Sequence, residues 1–349
     1  KGADVWIKPS LVDIARFTKG GNLFGLSSKK YDREIIEKTI AQIDGHGLPE
    51  ILTIYLMGVD HESHHHGPEA QLKNLINIID PIIGELWDVI IQKNNQKHLP
   101  FVAIFSDHGQ IRVKADDRHS LRLAFPFERE IGHLFDALGL DVHDYPGEDP
   151  NCDAVVASNG GLAHVYLQNR TGHWADIPHF DRDILPVAQA FWEAHKNGKY
   201  ASELKGALSG VLVRNVEEKG WEALYQAITP KGEMISLDEW FSKADDNLYA
   251  DPVCRLNNLA GPMAGDLLLV SNYEDGFYFG APITGVHGGL HPDDSRATFS
   301  FGWPEVGIEH WQMTEVAIEK SIRERCAKED GRQPSTADLF TALKAVTSM

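Results

Sequence analysis

Glu50-Ile-Leu-Thr-Ile-Tyr-Leu-Met57, followed across Gly58-Val59 by the carboxylate of Asp60, is the stretch from which the fold is read. The run is short, apolar and rich in strand-forming residues, so it predicts a buried strand. Asp60 then stands at the carboxyl end, where open α/β sheets place their ligands. On the N-terminal side, Tyr31 to Ile43 carries apolar residues at helical spacing. On the other side Gly67-Pro68 breaks the chain and residues 69–93 predict a long amphipathic helix, with Pro81 marking a kink or restart behind Asp80. Phe101-Val-Ala-Ile-Phe105 predicts a second buried strand. Helix, strand, helix, strand is the pattern of an α/β fold with a central, mostly parallel sheet.

Beyond residue 111 the order loosens. Ala154-Val-Val-Ala157 and Ala163-His-Val-Tyr-Leu167 predict strands flanking Gly160-Gly161, a helix is expected near 181–195, and Gly210-Val-Leu-Val213 predicts a further strand. Residues 314–327 and 336–346 predict closing helices, and residues 144–153, rich in Pro, Gly and acid, predict a loop.

Chemistry gathers at three strand ends. Asp60 and His64 occur in Gly58-Val-Asp-His-Glu-Ser-His-His-His-Gly-Pro68, Asp107 and His108 in Ser106-Asp-His-Gly109, and His287 in Gly285-Val-His-Gly-Gly289. Imidazole nitrogen and carboxylate oxygen are the donors a zinc-like divalent ion prefers. The first pair is expected in a strand-to-helix loop. Adjacent Asp107 and His108 cannot share one face of a strand, but a Gly-terminated loop lets both turn to one ion. His61, His65, His66 and His291 lie beside these positions and read as solvated or supporting histidines.

The ordered motifs resemble the type I phosphodiesterase/nucleotide pyrophosphatase branch of the alkaline phosphatase superfamily. Asp60, His64, Gly67 and Pro68 match its Asp-x-x-x-His-x-x-Gly-Pro, Ser106 to Gly109 its Ser/Thr-Asp-His-Gly, and His287-Gly288 its last ligand. Ser158-Asn-Gly-Gly161, Ala264-Gly-Asp266 and Ser335-Thr-Ala-Asp338 are further echoes, and the resemblance spans Tyr31 to the C-terminus. It implies an alkaline-phosphatase-like three-layer α/β/α sandwich over 1–349, with an inserted cap at about 111–284 that sets substrate choice. It also implies two divalent metal ions, zinc first, with manganese or iron as alternatives. One ion is expected on Asp60, His64 and His287 and the other on Asp107 and His108.

The family completes its second site with an aspartate from the first strand, and a Thr or Ser nucleophile bridges the ions. Asp4, Asp13, Thr18, Ser27, Ser28 and Thr39 stand in polar, basic or helical surroundings and read as ordinary surface residues. With Lys1 as the first residue, an upstream segment carrying the first strand, that aspartate and the nucleophile is expected, and the chain alone is expected to be a poor catalyst. The expected activity is two-metal hydrolysis of phosphodiester or pyrophosphate bonds in a small phosphoester, a nucleotide among the candidates. A phosphomonoesterase, sulfatase or phosphonate hydrolase of the same superfamily, and a non-catalytic metal-binding module, are the alternatives.

Composition is that of a globular protein large enough for a substantial core, with 42% hydrophobic and 24% charged residues. The net charge of −18, with no long basic stretch, argues against a polynucleotide partner. Cys152, Cys254 and Cys326 fit no zinc framework and allow one disulfide at most, so buried or free thiols are expected. No apolar run reaches the roughly 20 residues of a membrane span, and no signal peptide is visible. Periplasmic or secreted and cytoplasmic locations stay equally open, as does the oligomeric state.

Overall fold

Polar Asp32 and apolar Ile36 and Ile43 share one face of the helix Ser28–His46, and this face decides how the first part of the chain packs. The two isoleucines meet Ile79, Ile82 and Leu86 in a small core. The computed structural model describes residues 28–94, 100–123, 130–143, 151–244, 248–303, 306–329 and 332–347. Asp4, Asp13, Thr18 and Ser27, and most of the expected loop at 144–153, lie outside them. Contacts divide the chain into two units, Lys1–Ile104 with Ser300–Glu315, and Phe105–Phe299 with Val316–Met349.

In the first unit the expected strand at Glu50–Met57 is corrected. Residues 51–57 form no ladder, and among the described residues no strand lies beside them. Alternate residues nevertheless face opposite ways: Leu52, Ile54 and Leu56 face the isoleucine core, while Ile51 and Tyr55 are 82% and 63% exposed. The loop expected to carry Asp60 and His64 is instead the helix Gly58–His66. Thr39, expected at the surface, is buried, and its Oγ1 donates to Ile35 O at 2.8 Å. The amphipathic stretch forms Ala70–Asn74, a wide π turn at Leu75–Ile79, and Asp80–Lys93. The restart falls at Pro81, which has no N–H to continue a regular ladder. Val102–Phe105 pairs with Phe299–Gly302, and the Phe101 ring stacks on Phe301 with centroids 5.8 Å apart.

The second unit is built on a seven-stranded sheet, in the order Val142–His143, Ala154–Asn159, Leu162–Leu167, Leu267–Ser271, Leu208–Val213, Gln226–Ile228, Met234–Ile235. The α/β class stands, but this sheet is mixed: only its first pair is parallel. Gly160-Gly161 joins two strands by a tight reversal, a connection available only to antiparallel neighbours. Leu267 and Leu269 enter a core with Val187 and Phe191 of the helix Leu185–Asn197, whereas Leu268 and Val270 enter a second core with Leu237 and Leu256. Helices therefore cover both faces, which is why Leu267-Leu-Leu-Val270 is apolar throughout.

Arg214, fully buried, donates to the carbonyls of Trp221, Gly261, Ala264 and Gly265, fixing the turn that leads into the central strand. Near the C-terminus, Ser335 and Asp338 close a capping box, and buried Asp338 pairs with Arg332 at 2.8 Å before the helix Leu339–Thr347. Cys152, Cys254 and Cys326 are free thiols, the first and last buried. Among the described residues, no helix is long and apolar enough to cross a membrane.

Candidate metal centre

A four-residue spacing puts two side chains one above the other on a helix. Asp60 and His64 use it: His64 Nε2 lies 3.3 Å from Asp60 Oδ1 on the helix Gly58–His66. The helix is short and rich in histidine, a poor helix former, so something else must hold its start. Buried Asp32 does so, its two carboxylate oxygens accepting from Met57 N–H at 3.0 Å and Gly58 N–H at 2.9 Å. His61 and His65 pack ring to ring at 4.6 Å, and burial together with His65 holds His61 below the ordinary imidazole value.

Burial pushes the Asp32 carboxyl up to about 6, against the pull of its two N–H donors. A carboxyl whose folded value lies above its unfolded value near 4 contributes stability that is full below about pH 4 and is lost as pH rises through 6. A rise of about two units corresponds to roughly 3 kcal/mol. Buried Asp266 is raised in the same direction, so the comparison with Asp32→Asn isolates Asp32. The expected result is a carboxyl carbon signal titrating near 6, and a fall in thermal midpoint between pH 4 and 6 that is shallower in Asp32→Asn. Titration near 4 would contradict the burial argument.

In the second unit a two-residue antiparallel ladder, Ile111–Arg112 with Gly285–Val286, sets two ligand-bearing loops side by side. Asp107 and His108 precede one of its strands and His287 follows the other. The His287 and His108 rings stack with centroids 3.6 Å apart, and His108 Nε2 lies 3.6 Å from Asp107 Oδ1. Gly109 O lies 2.8 Å from His108 Nδ1 and can only accept, so Nδ1 is the donor of this pair. The Ser106 hydroxyl accepts from Thr298 N–H at 2.8 Å and so anchors the strand end.

Glycines make this proximity possible. A Cβ on Gly109 would stand 2.1 Å from Asp293 O, and one on Gly160 would stand 1.9 Å from His287 O. Gly160-Gly161 and Gly288-Gly289, far apart in sequence, therefore meet in one packed junction.

Asp60 and His64 belong to the first unit, and Asp107, His108 and His287 to the second. Three supporting residues escaped the sequence reading: Asp32, Arg255 and Asp294. Asp32 did leave a trace, a carboxylate on the face that carries Ile36 and Ile43; Asp294 resembles a surface charge until its burial is seen, and Arg255 is itself exposed. Each unit by itself offers donors of the kind a zinc-like ion takes, a carboxylate and an imidazole in the first and a carboxylate and two imidazoles in the second, and the Nδ1 bond of His108 is the arrangement a metal-binding imidazole needs.

A family model, type I phosphodiesterase / nucleotide pyrophosphatase, matches residues 19–250, more than half of the chain. No curated protein matches it.

Proposed function

The chain belongs to the type I phosphodiesterase / nucleotide pyrophosphatase family of phosphoric ester hydrolases, in the alkaline phosphatase superfamily, and on that premise we propose that it cleaves phosphodiester or pyrophosphate bonds with two divalent metal ions. Asp60, His64 and His287 would hold one ion and Asp107 and His108 the other, zinc being favoured by the N and O donors. The observation that carries this reading is the Asp60–His64 pair, on one helix face inside the matched residues. His287 lies beyond those residues, and its stacking on His108 supports its inclusion.

Each protein group has a task. Asp32 fixes the start of the helix and with it the spacing of Asp60 and His64. Gly109 O orients the His108 ring, and the His287 ring restricts its rotation. When bound, paired ions lower the pKa of a hydroxyl nucleophile and clamp the phosphoryl oxygens of an in-line displacement. In this reading that nucleophile is a Thr or Ser. Residues of about 111–284 act as the inserted cap that selects a small phosphoester, such as a nucleotide.

With zinc or manganese supplied, the protein is expected to hydrolyse bis(4-nitrophenyl) phosphate faster than 4-nitrophenyl phosphate, and to lose both activities to a chelator. Preference for the monoester, or activity indifferent to chelation, would reject the proposal.

A further inference from the structure

We propose that Asp294 is the positioning residue that locks the His287 loop to the Asp107-His108 loop, a role that rests on the metal-centre reading above. Asp294 is 3% exposed, so its carboxylate needs partners. Its Oδ2 accepts from Gly289 N–H at 2.8 Å, two residues after His287, and its Oδ1 accepts from the Ser295 hydroxyl at 2.9 Å. Arg255 closes the circuit: it donates to Ser295 Oγ at 2.7 Å and to Gly289 O at 3.0 Å. Both backbone polar groups of Gly289 are thereby held by side chains. Meanwhile the backbone carbonyl of Asp294 accepts from Gly109 N–H at 2.9 Å, next to His108.

One residue therefore grips both loops, its side chain holding the one after His287 and its carbonyl the one after His108. The 3.6 Å ring stack is a consequence of that double grip. A Cβ at Gly289 would meet Asp294 Oδ2 at 2.8 Å, so the carboxylate approaches as closely as the glycine permits. Through its bond to Gly289, two residues after His287, Asp294 acts on the placement of His287. Residues with that relation to a metal ligand alter affinity by about 10–100-fold when removed.

The test titrates the metal-free protein with zinc by calorimetry and with cobalt by visible absorption, comparing wild type with Asp294→Ala, Asp294→Asn, Ser295→Ala and His287→Ala. Asp294→Ala is expected to weaken zinc binding by roughly 10–100-fold and to change the cobalt spectrum. Asp294→Asn, which keeps an acceptor for Gly289 N–H, recovers part of both. Wild-type affinity and spectrum in Asp294→Ala would overturn the positioning role. If that variant does not fold, unchanged zinc binding in both Asp294→Asn and Ser295→Ala overturns it instead. A wild type that binds no cobalt, or that His287→Ala leaves unaltered, marks failure of the metal-centre reading and removes the basis for this one.

Discussion

His64→Ala and Asp107→Ala are each expected to lower the turnover of bis(4-nitrophenyl) phosphate by roughly 10²- to 10⁴-fold, because metal-ion stabilisation of transition-state charge is worth several kcal/mol and each 1.36 kcal/mol is tenfold in rate. In the proposed reading each change would open the coordination shell of a different ion, so two variants on different elements should show losses of similar size. Global unfolding would produce the same loss, and the structure separates the two causes. Neither side chain is part of a core, and the helix that carries His64 is fixed at its start by Asp32 through backbone N–H groups that an alanine leaves in place. Circular dichroism and thermal midpoint should therefore stay near wild type while activity falls. His66→Ala, on the same helix at an exposed position, serves as the comparison and should keep most of the activity. Equal losses in His66→Ala and His64→Ala would show that the helix matters for folding and not for an ion.

Ligand types and their order were legible in the chain, because Asp-x-x-x-His, Asp-His-Gly and His-Gly are local patterns. The elements that present them were not. Asp60 and His64 read as loop residues because they lie between an apolar run and the Gly67-Pro68 break; a buried acid from a helix 26 residues earlier instead holds the start of a helix there. Glu50–Met57 shows the converse error. Its alternation marks one packed face correctly, but a strand also needs a neighbour to bond with, which no local pattern encodes. The seven-stranded sheet makes the same point at longer range. Leu267–Ser271 inserts between Leu162–Leu167 and Leu208–Val213, and its partner Val165 lies about a hundred residues away in sequence. The apolar run announces a strand buried on both faces and says nothing of which strands flank it. Asp294 was invisible for a related reason: an acid followed by a serine looks like any helix start until burial shows that it has to be paired.

Gly160→Ala is expected to be the most destabilising single methyl that can be added near the site, and a second glycine shows which effect dominates. Gly160 has φ of 58°, a left-handed conformation that costs an L-residue about 1–2 kcal/mol. Gly47, after the helix Ser28–His46, has φ of 81° and nothing within 4 Å of an added Cβ. Gly47→Ala therefore pays the backbone term alone and should cost roughly 1 kcal/mol. At Gly160 the same methyl meets His287 O at 1.9 Å, and that neighbour is backbone. It cannot rotate away, and Phe279 holds Gly160 in place through hydrogen bonds in both directions. Relief requires the loop after His287 to move or the bridge to Phe279 to break, which places the total at about 4 kcal/mol or more, the range reserved for strain and lost buried networks. Denaturant midpoints of the two variants measure the difference directly. Loop movement should also separate the His287 and His108 rings, so Gly160→Ala should lose zinc affinity even at temperatures where it stays folded, while Gly47→Ala keeps it. Similar stability losses in the two variants would mean that the close approach of Gly160 to His287 is not maintained in solution.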